Sequence, residues 1–393
     1  MDVSFPPEEI DLTEHLQDPD VYASAPGRVE FIGNHTDYNG GWVLGATIDR
    51  RIGVGLSGRD DGQIQLESMD GGAPVTVDLQ TVERQSGDQA WANYVLGVLH
   101  VLRAEGLEVT GGFDLEVVST LPVGAGLSSS AALELATAFA LNDAFDGHFD
   151  RGALARLSQR AENEFVGVPC GLLDQAVVAF GDDDRIVRLD AHAKEVTTVP
   201  FPTETRIWIF QTHQSHALAD AHYQERHDEA RAAREALDEV LNGGVETLAA
   251  VPPDALDEAK DQIPEVLYRR ARHVSTEHRR VQSVVQHLEE HDHRAAGELL
   301  FASHESSRTD YDNSTEELDF VVDRLAETDH VLGGRLTGAG FGGAVMAWTQ
   351  EAFGDEEATA IVDAYANRFG ENLTVLACQT GPGAFSEDWR EGA

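Results

Sequence analysis

The stretch LPVGAGLSSSAALELA, residues 121–136, follows an alternating run, GFDLEVVSTLP, and opens a long apolar helical pattern. Strand, glycine-rich turn and helix in that order constrain the fold more than any other segment. Gly124 and Gly126 let the backbone approach a ligand closely, and the serines lie where the first turn of a helix has amides without helical partners. Those amides and the positive end of the helix dipole converge on one point, which suits a phosphate. A plain serine-capped helix after a turn has the same pattern. Three consecutive serines after Gly-x-Gly leave both readings open.

Familiar phosphate loops do not fit. A Walker A loop needs G-x-x-x-x-G-K-[ST] and a protein kinase needs a strand lysine, yet neither Lys194 nor Lys260 has that context. The dinucleotide fingerprint fails for want of its third glycine. What remains is a nucleotide site built from backbone amides, serine hydroxyls and a metal.

A second polar segment, APGRVEFIGNHTDYNGG, residues 25–41, crowds Arg28, Glu30, Asn34, His35, Thr36, Asp37 and Asn39 around a short apolar core. It reads as a binding loop hung from a strand. Beyond these segments the pattern predicts helices over residues 88–106, within 123–145 after the glycine-rich turn, and over 151–168, a short one near 170–181, and strands near 185–191 and 206–212. A charged helical region runs from about residue 211 to 300, broken at VPPDALDEAKDQIP. Strands and a glycine loop follow in GGRLTGAGFGGAVMAWT and NLTVLACQT. The irregular mixture favours α+β over a doubly wound sheet.

A chain of 393 residues, 41% of them apolar, is long enough for two domains. No apolar run reaches the roughly 18 residues a membrane helix needs, and the acidic start is unlike a signal peptide, so a cytoplasmic location is expected. Cys170 and Cys378 make no disulfide framework. The net charge of −42 rests on 70 acidic residues against 28 basic ones, all but two of them arginine. Such a surface suits a salt-rich cytosol, where the Debye length falls to about 3 Å at 1 M. A halophilic protein is expected; with no basic patch, nucleic acid is not an expected partner.

In order and spacing, APGRVEFIGNHTDYNGG, LPVGAGLSSSAALELA and LTGAGFGGAVMAW resemble the three signature motifs of the GHMP small-molecule kinases, and of galactokinases in particular. AENEFVGVPCGLLDQ and HALADAHYQER are also similar, and the likeness runs from about Val21 to Thr380. The resemblance implies an α+β, two-domain GHMP kinase fold: residues 1–205 with a ribosomal-protein-like βαβ unit, and residues 206–393 as a ferredoxin-like domain, with the site in a cleft between them. It implies ATP and Mg2+ as cofactors and a sugar as substrate, D-galactose phosphorylated at its anomeric hydroxyl. A related sugar such as galacturonate or an amino sugar, or a non-catalytic sugar-sensing role, stays open.

Residue by residue, Asp174 matches the family's proton acceptor, although alone it reads as a satisfied structural acid in an apolar helix. Arg28 matches the arginine beside it. Gly124, Ala125, Gly126, Leu127, Ser128, Ser129 and Ser130 match the phosphate loop. Ser130 and Glu162 match the metal site, Glu162 alone reading as a solvated helix face. Asn34, His35, Thr36, Asp37 and Tyr223 match sugar contacts. The Gly338–Gly343 loop matches the third motif, with Ala339 where a glycine is common. His213, His216 and His222 have only the spacing of a charged helix. The first motif departs from the family's GRVNLIGEHTDY: Glu30 stands where asparagine is usual and Asn34 where glutamate is usual, which removes a charge that would oppose a uronate. The expected partners are a small-molecule sugar and ATP, with no membrane, and the chain is expected to be a monomer or weak dimer.

Overall fold

The computed structural model describes residues 3–4, 12–69, 71–122, 126–213 and 219–390. Two compact units divide the chain, and both are discontinuous in sequence. One comprises residues 8–28, 47–182 and 381–393, the other residues 1–7, 29–46 and 183–380. A division at residue 205 does not describe them, because strands Val21–Ile32 and Trp42–Arg59 each run from one unit into the other. Hydrogen bonding is the reason. Trp42 to Gly45 pairs with Asp190 to Val187, whereas Ile52 to Arg59 pairs with Ser119 to Gly112.

In the first unit, strand Gln63–Ser68 lies parallel to Gly112–Ser119. The chain between them makes strand Val75–Asp78 and helix Ala92–Ala104, as a parallel crossover requires. Helix Ser129–Ala144 is apolar on nearly every side because it packs among Ala92–Ala104, Arg151–Ala161 and Leu173–Phe180. Its Leu135 and Leu141 are fully buried, each contributing about 1.5–3 kcal/mol of transfer free energy. The helix expected over residues 151–168 ends earlier. At Ala161 it gives way to a π-helical turn, Glu162–Val166, closed by Gly167.

The second unit carries a five-stranded sheet in the order Val3–Ser4, Thr374–Cys378, Thr205–Gln211, Ala344–Gln350, Val331–Thr337. Without the two-residue edge strand, the order is fourth, first, third, second. That is the β-α-β-β-α-β pattern of a ferredoxin-like sheet. Trp208, Phe210, Val345 and Ala347 alternate onto one face and form a core with Leu318, Ile361 and Tyr365 from helices Glu316–Ala326 and Asp355–Phe369. A separate core joins helices Ala219–Val240, Pro253–Ala259 and Glu265–Glu289 around Leu237, Leu256, Val274 and Tyr311.

Candidate active site

Arg28 is delivered by a strand with every residue buried. Its neighbour Gly27 has no room for a side chain: a Cβ there would collide with Leu121 and lie 3.0 Å from the Leu127 carbonyl. Asp174 is in the first turn of helix Leu173–Phe180. Arg28 Nε donates to Asp174 Oδ1 at 2.7 Å and Nη2 to Oδ2 at 2.6 Å. Its Nη1 donates to the Gly126 carbonyl at 2.9 Å, and its backbone N–H to the Leu127 carbonyl at 3.0 Å. One arginine therefore ties the glycine-serine turn to the acid.

The serine turn is not a simple cap. Ser128, at the start of the helix, has φ +57 and makes no side-chain capping bond. Its hydroxyl instead donates to Asp174 Oδ2 at 2.5 Å. A non-glycine residue held in that region costs of order 1–3 kcal/mol, a strain typical of functional sites.

Burial alone would raise the Asp174 carboxyl, but the Arg28 charge, with hydrogen bonds from Arg28 and Ser128, brings it below the ordinary carboxylate value. It is an anion at neutral pH. A carboxylate offers about four lone-pair positions; one on Oδ1 and two on Oδ2 are filled by these donors. Oδ1 keeps room for a further hydroxyl, and the Asp174 side chain is 29% exposed against 9% for Arg28.

Beside this pair lies a buried acid cluster. Glu162 Oε2 accepts Gln175 Nε2 at 2.8 Å and the Cys170 thiol at 3.2 Å, and Gln175 Nε2 also donates to Glu134 Oε2 at 3.0 Å. The Ser130 hydroxyl bonds to Glu162 as well. Burial raises both carboxyls, and the charge of Glu162 raises Glu134 further. Two oxygens in the cluster, Glu134 Oε1 and Gln175 Oε1, have no protein partner. A cavity of about 480 Å³ opens at the head of the serine helix, lined by Trp91, Tyr94, Leu121, Ser129 and Ser130 among others. A larger one of about 610 Å³, between residues 105–110 and 144–149, holds none of these groups.

In the other unit the first-motif loop is bonded to its own surroundings. Asn34 Nδ2 donates to the Gly338 carbonyl at 2.7 Å and to Glu30 Oε1 at 3.1 Å, while Oδ1 accepts from Asn313 Nδ2 at 2.8 Å. Glu30 faces inward, paired with the fully buried Arg335 at 3.1 Å. His35 Nε2 lies 3.1 Å from the Ala339 carbonyl, an acceptor, so Nε2 carries the proton and Nδ1 accepts from Tyr38 Oη at 2.8 Å. Burial lowers His35 to about 3, which keeps it neutral. The Thr36 hydroxyl is shared between the Gly33 and Trp42 carbonyls. Asp37 and Tyr223 are half-buried, and the Tyr223 ring lies 5.5 Å from that of His35.

Models of known families match three parts of the chain: the GHMP kinase N-terminal domain over residues 93–182, the galactokinase galactose-binding signature over 13–57, and the GHMP kinase C-terminal domain over 284–372. The galactokinase of Thermotoga neapolitana is 36% identical over 91% of this chain and 98% of its own. That of Streptomyces coelicolor is 39% identical over 89% of each. The chain belongs to the galactokinase family of GHMP kinases. The crystal structure of Lactococcus lactis galactokinase complexed with galactose superposes with a TM-score of 0.86 at 32% identity, covering 93% of this chain and 95% of that one. The mevalonate kinase of Methanococcus jannaschii, at 18% identity and a TM-score of 0.63, shares the fold.

The structure joins Arg28, Asp174, Gly126, Leu127 and Ser128 in one network, and Ser130 with Glu162 in another. Gly124 and Ala125 lie outside the described residues, as does His216. Among the described residues no group of three or more His, Cys, Asp or Glu side chains is arranged for a metal ion. One hydroxyl and one carboxylate are hard oxygen donors, and so sparse a set fits magnesium, which keeps several waters and binds through few carboxylates with substrate phosphates. Sequence reasoning passed over Glu134, Gln175, Asn313 and Arg335. Glu134 had a signal, an acid inside AALELATAFAL; Asn313 had none.

Proposed function

We infer that the protein is a galactokinase, transferring the γ-phosphoryl group of ATP to the anomeric hydroxyl of D-galactose to release ADP and galactose 1-phosphate. The observation that carries the mechanism is the Arg28–Asp174–Ser128 network. Phosphoryl transfer through a loose transition state asks mainly for positioning and charge stabilisation. Asp174 Oδ1 accepts a hydrogen bond from the sugar hydroxyl, aims its oxygen, and takes the proton as the new bond forms. Held below the ordinary carboxylate value, it is a weak base, so orientation precedes proton transfer. Arg28 keeps it ionised and adds a fixed positive charge beside the reacting groups.

Residues Gly124 to Ser130, with the first amides of the serine helix, hold the nucleotide phosphates, and the cavity beside Trp91 and Tyr94 takes the base. Ser130 and Glu162 hold a magnesium ion, which when bound neutralises charge on the phosphates. Asp37 and Tyr223 meet the sugar hydroxyls. The protein acts as a monomer or weak dimer. No helix among the described residues is long and apolar enough to cross a membrane, which is compatible with the cytoplasmic placement. A halophilic setting follows from the charge alone.

One observation favours a second reading. The acid of the exchanged pair, Glu30, is neutralised by Arg335, so neither position 30 nor 34 presents an uncompensated negative charge to a uronate. The test is ADP release with a panel of sugars in about 1 M KCl, where repulsion is screened. Galactose should be the best substrate. Faster turnover of galacturonate would replace it with the second reading, and no ADP release with any sugar would leave the non-catalytic one.

A further inference from the structure

Asn313 is fully buried, and its amide orientation is determined by its neighbours. Nδ2 donates to Asn34 Oδ1 at 2.8 Å and to the Ala339 carbonyl at 3.0 Å, both acceptors. Asn34 Oδ1 is in turn identified as oxygen because its partner atom Nδ2 faces the Gly338 carbonyl and the Glu30 carboxylate. The Asn313 backbone adds a further tie: its carbonyl accepts the Phe341 N–H at 2.7 Å. A Cβ at Gly340, which has φ +83, would collide with that carbonyl.

The segment held in this way is poorly suited to hold itself. Gly338, Gly340, Phe341, Gly342 and Gly343 all have positive φ, and glycine loses the most conformational freedom on ordering. Ala339 is exposed, yet its carbonyl takes two donors, Asn313 and His35. Asn34 and His35 are thus bonded to this loop on one side, while the Asn34 backbone is fixed on the other by Glu277 Oε1 at 3.3 Å and His273 Nε2 at 3.0 Å.

We propose that Asn313 is a positioning residue that, through Asn34 and Ala339, holds the 33–37 loop and the 338–343 glycine loop in one register, so that Asp37 is preset for the sugar. This rests on the sugar-contact reading above and deepens it. Asn313 touches no substrate; its effect passes through Asn34. Presetting a binding group lowers the ordering cost of the substrate that group meets. The loss of Asn313 therefore raises the galactose KM selectively.

Asn313→Leu removes both side-chain donors at similar volume. The galactose KM, and the galactose Kd measured by calorimetry without ATP, should rise about tenfold, with the ATP KM within about twofold and kcat reduced less than about threefold. The milder Asn313→Ser retains one donor and should shift the galactose KM by about threefold, so it carries the test if the leucine variant fails to fold. The pair Asn34→Ala with Asn313→Leu should be no worse than Asn34→Ala alone, since both break one connection. An unchanged galactose KM in a folded variant, an ATP KM that rises equally, or additive losses in the pair would overturn the proposal. If the wild-type protein turns over a different sugar, the substrate assignment fails, and the same ratios measured with that sugar still decide the role of Asn313.

Discussion

The Asp174 region and the Asn34 region are held by opposite means. Around Asp174 a full ion pair is partly open, with Arg28 gripping both carboxylate oxygens and Ser128 adding a third bond. Around Asn34 the contacts to the glycine loop are neutral amides, a neutral histidine and backbone carbonyls, and the two carboxylates that bond to it, Glu30 and Glu277, are each compensated by an arginine, Arg335 and Arg280. The first arrangement suits a group whose charge is used on substrate. The second suits a scaffold, because neutral hydrogen bonds fix geometry without imposing a field on the ligand.

Breaking the ion pair should have the largest effect. Arg28→Met removes the fixed cation and leaves Asp174 held only by Ser128; turnover should fall about 10³-fold, the upper range for losing one electrostatic stabiliser. Burial would then be opposed only by the Ser128 hydrogen bond, so the Asp174 carboxyl rises. The acid limb of the residual kcat profile should move up by at least about one pH unit. An acid limb in the same place would mean that Arg28 does not set the ionisation of Asp174.

Lowering salt tests both regions together. With a net charge of −42, partial unfolding is expected below about 0.3 M KCl as screening weakens, read by circular dichroism. Full stability in dilute buffer would contradict the halophilic reading.

Acid should distinguish the regions. His35 is lowered to about 3 and His273 to about 4, both chiefly by burial. An unfolded histidine takes up its proton near pH 6.5, so their contribution to stability is complete above that value and is lost as pH falls towards 4. Asp174, also lowered, loses its contribution only below about pH 4. Amide exchange corrected for its intrinsic pH dependence should therefore open residues 33–39 between pH 6.5 and 4.5 while residues around 174 stay protected. Simultaneous opening would show that the loop's neutral histidines do not govern its stability.

Asn34→Glu should have the smallest effect on selectivity. Position 34 is taken up by Glu30, Gly338 and Asn313, so the galactose to galacturonate ratio of kcat/KM should change by less than about threefold, even though a second acid beside Glu30 lowers stability. A larger change would place residue 34 against the substituent at C6.

The sequence made part of this legible. The glycine-serine turn before an apolar helix is a local signal, and Asp174 stands out as an acid in GLLDQAVVAF, but pairing Arg28 with it needed the motif likeness because 146 residues separate them. Ser128 is a good cap by type, and only the tertiary position of Asp174 redirects its hydroxyl. The interleaved units were hidden because one strand, Trp42–Arg59, changes partners along its length. Asn313 was beyond reach: its partner Asn34 lies 279 residues away, and nothing in YDNST distinguishes it from a turn asparagine.

The central claim is that Asp174, held by Arg28, receives and aims the anomeric hydroxyl. Single-turnover ADP release from ATP and galactose in about 1 M KCl, with product identified by phosphorus NMR, tests it in the wild type and in Asp174→Asn. The account predicts equal amounts of ADP and galactose 1-phosphate from the wild type. The variant should turn over at least about 10²-fold more slowly while galactose binding changes only a few-fold. Wild-type turnover in the variant, or a product phosphorylated at another hydroxyl, would contradict it.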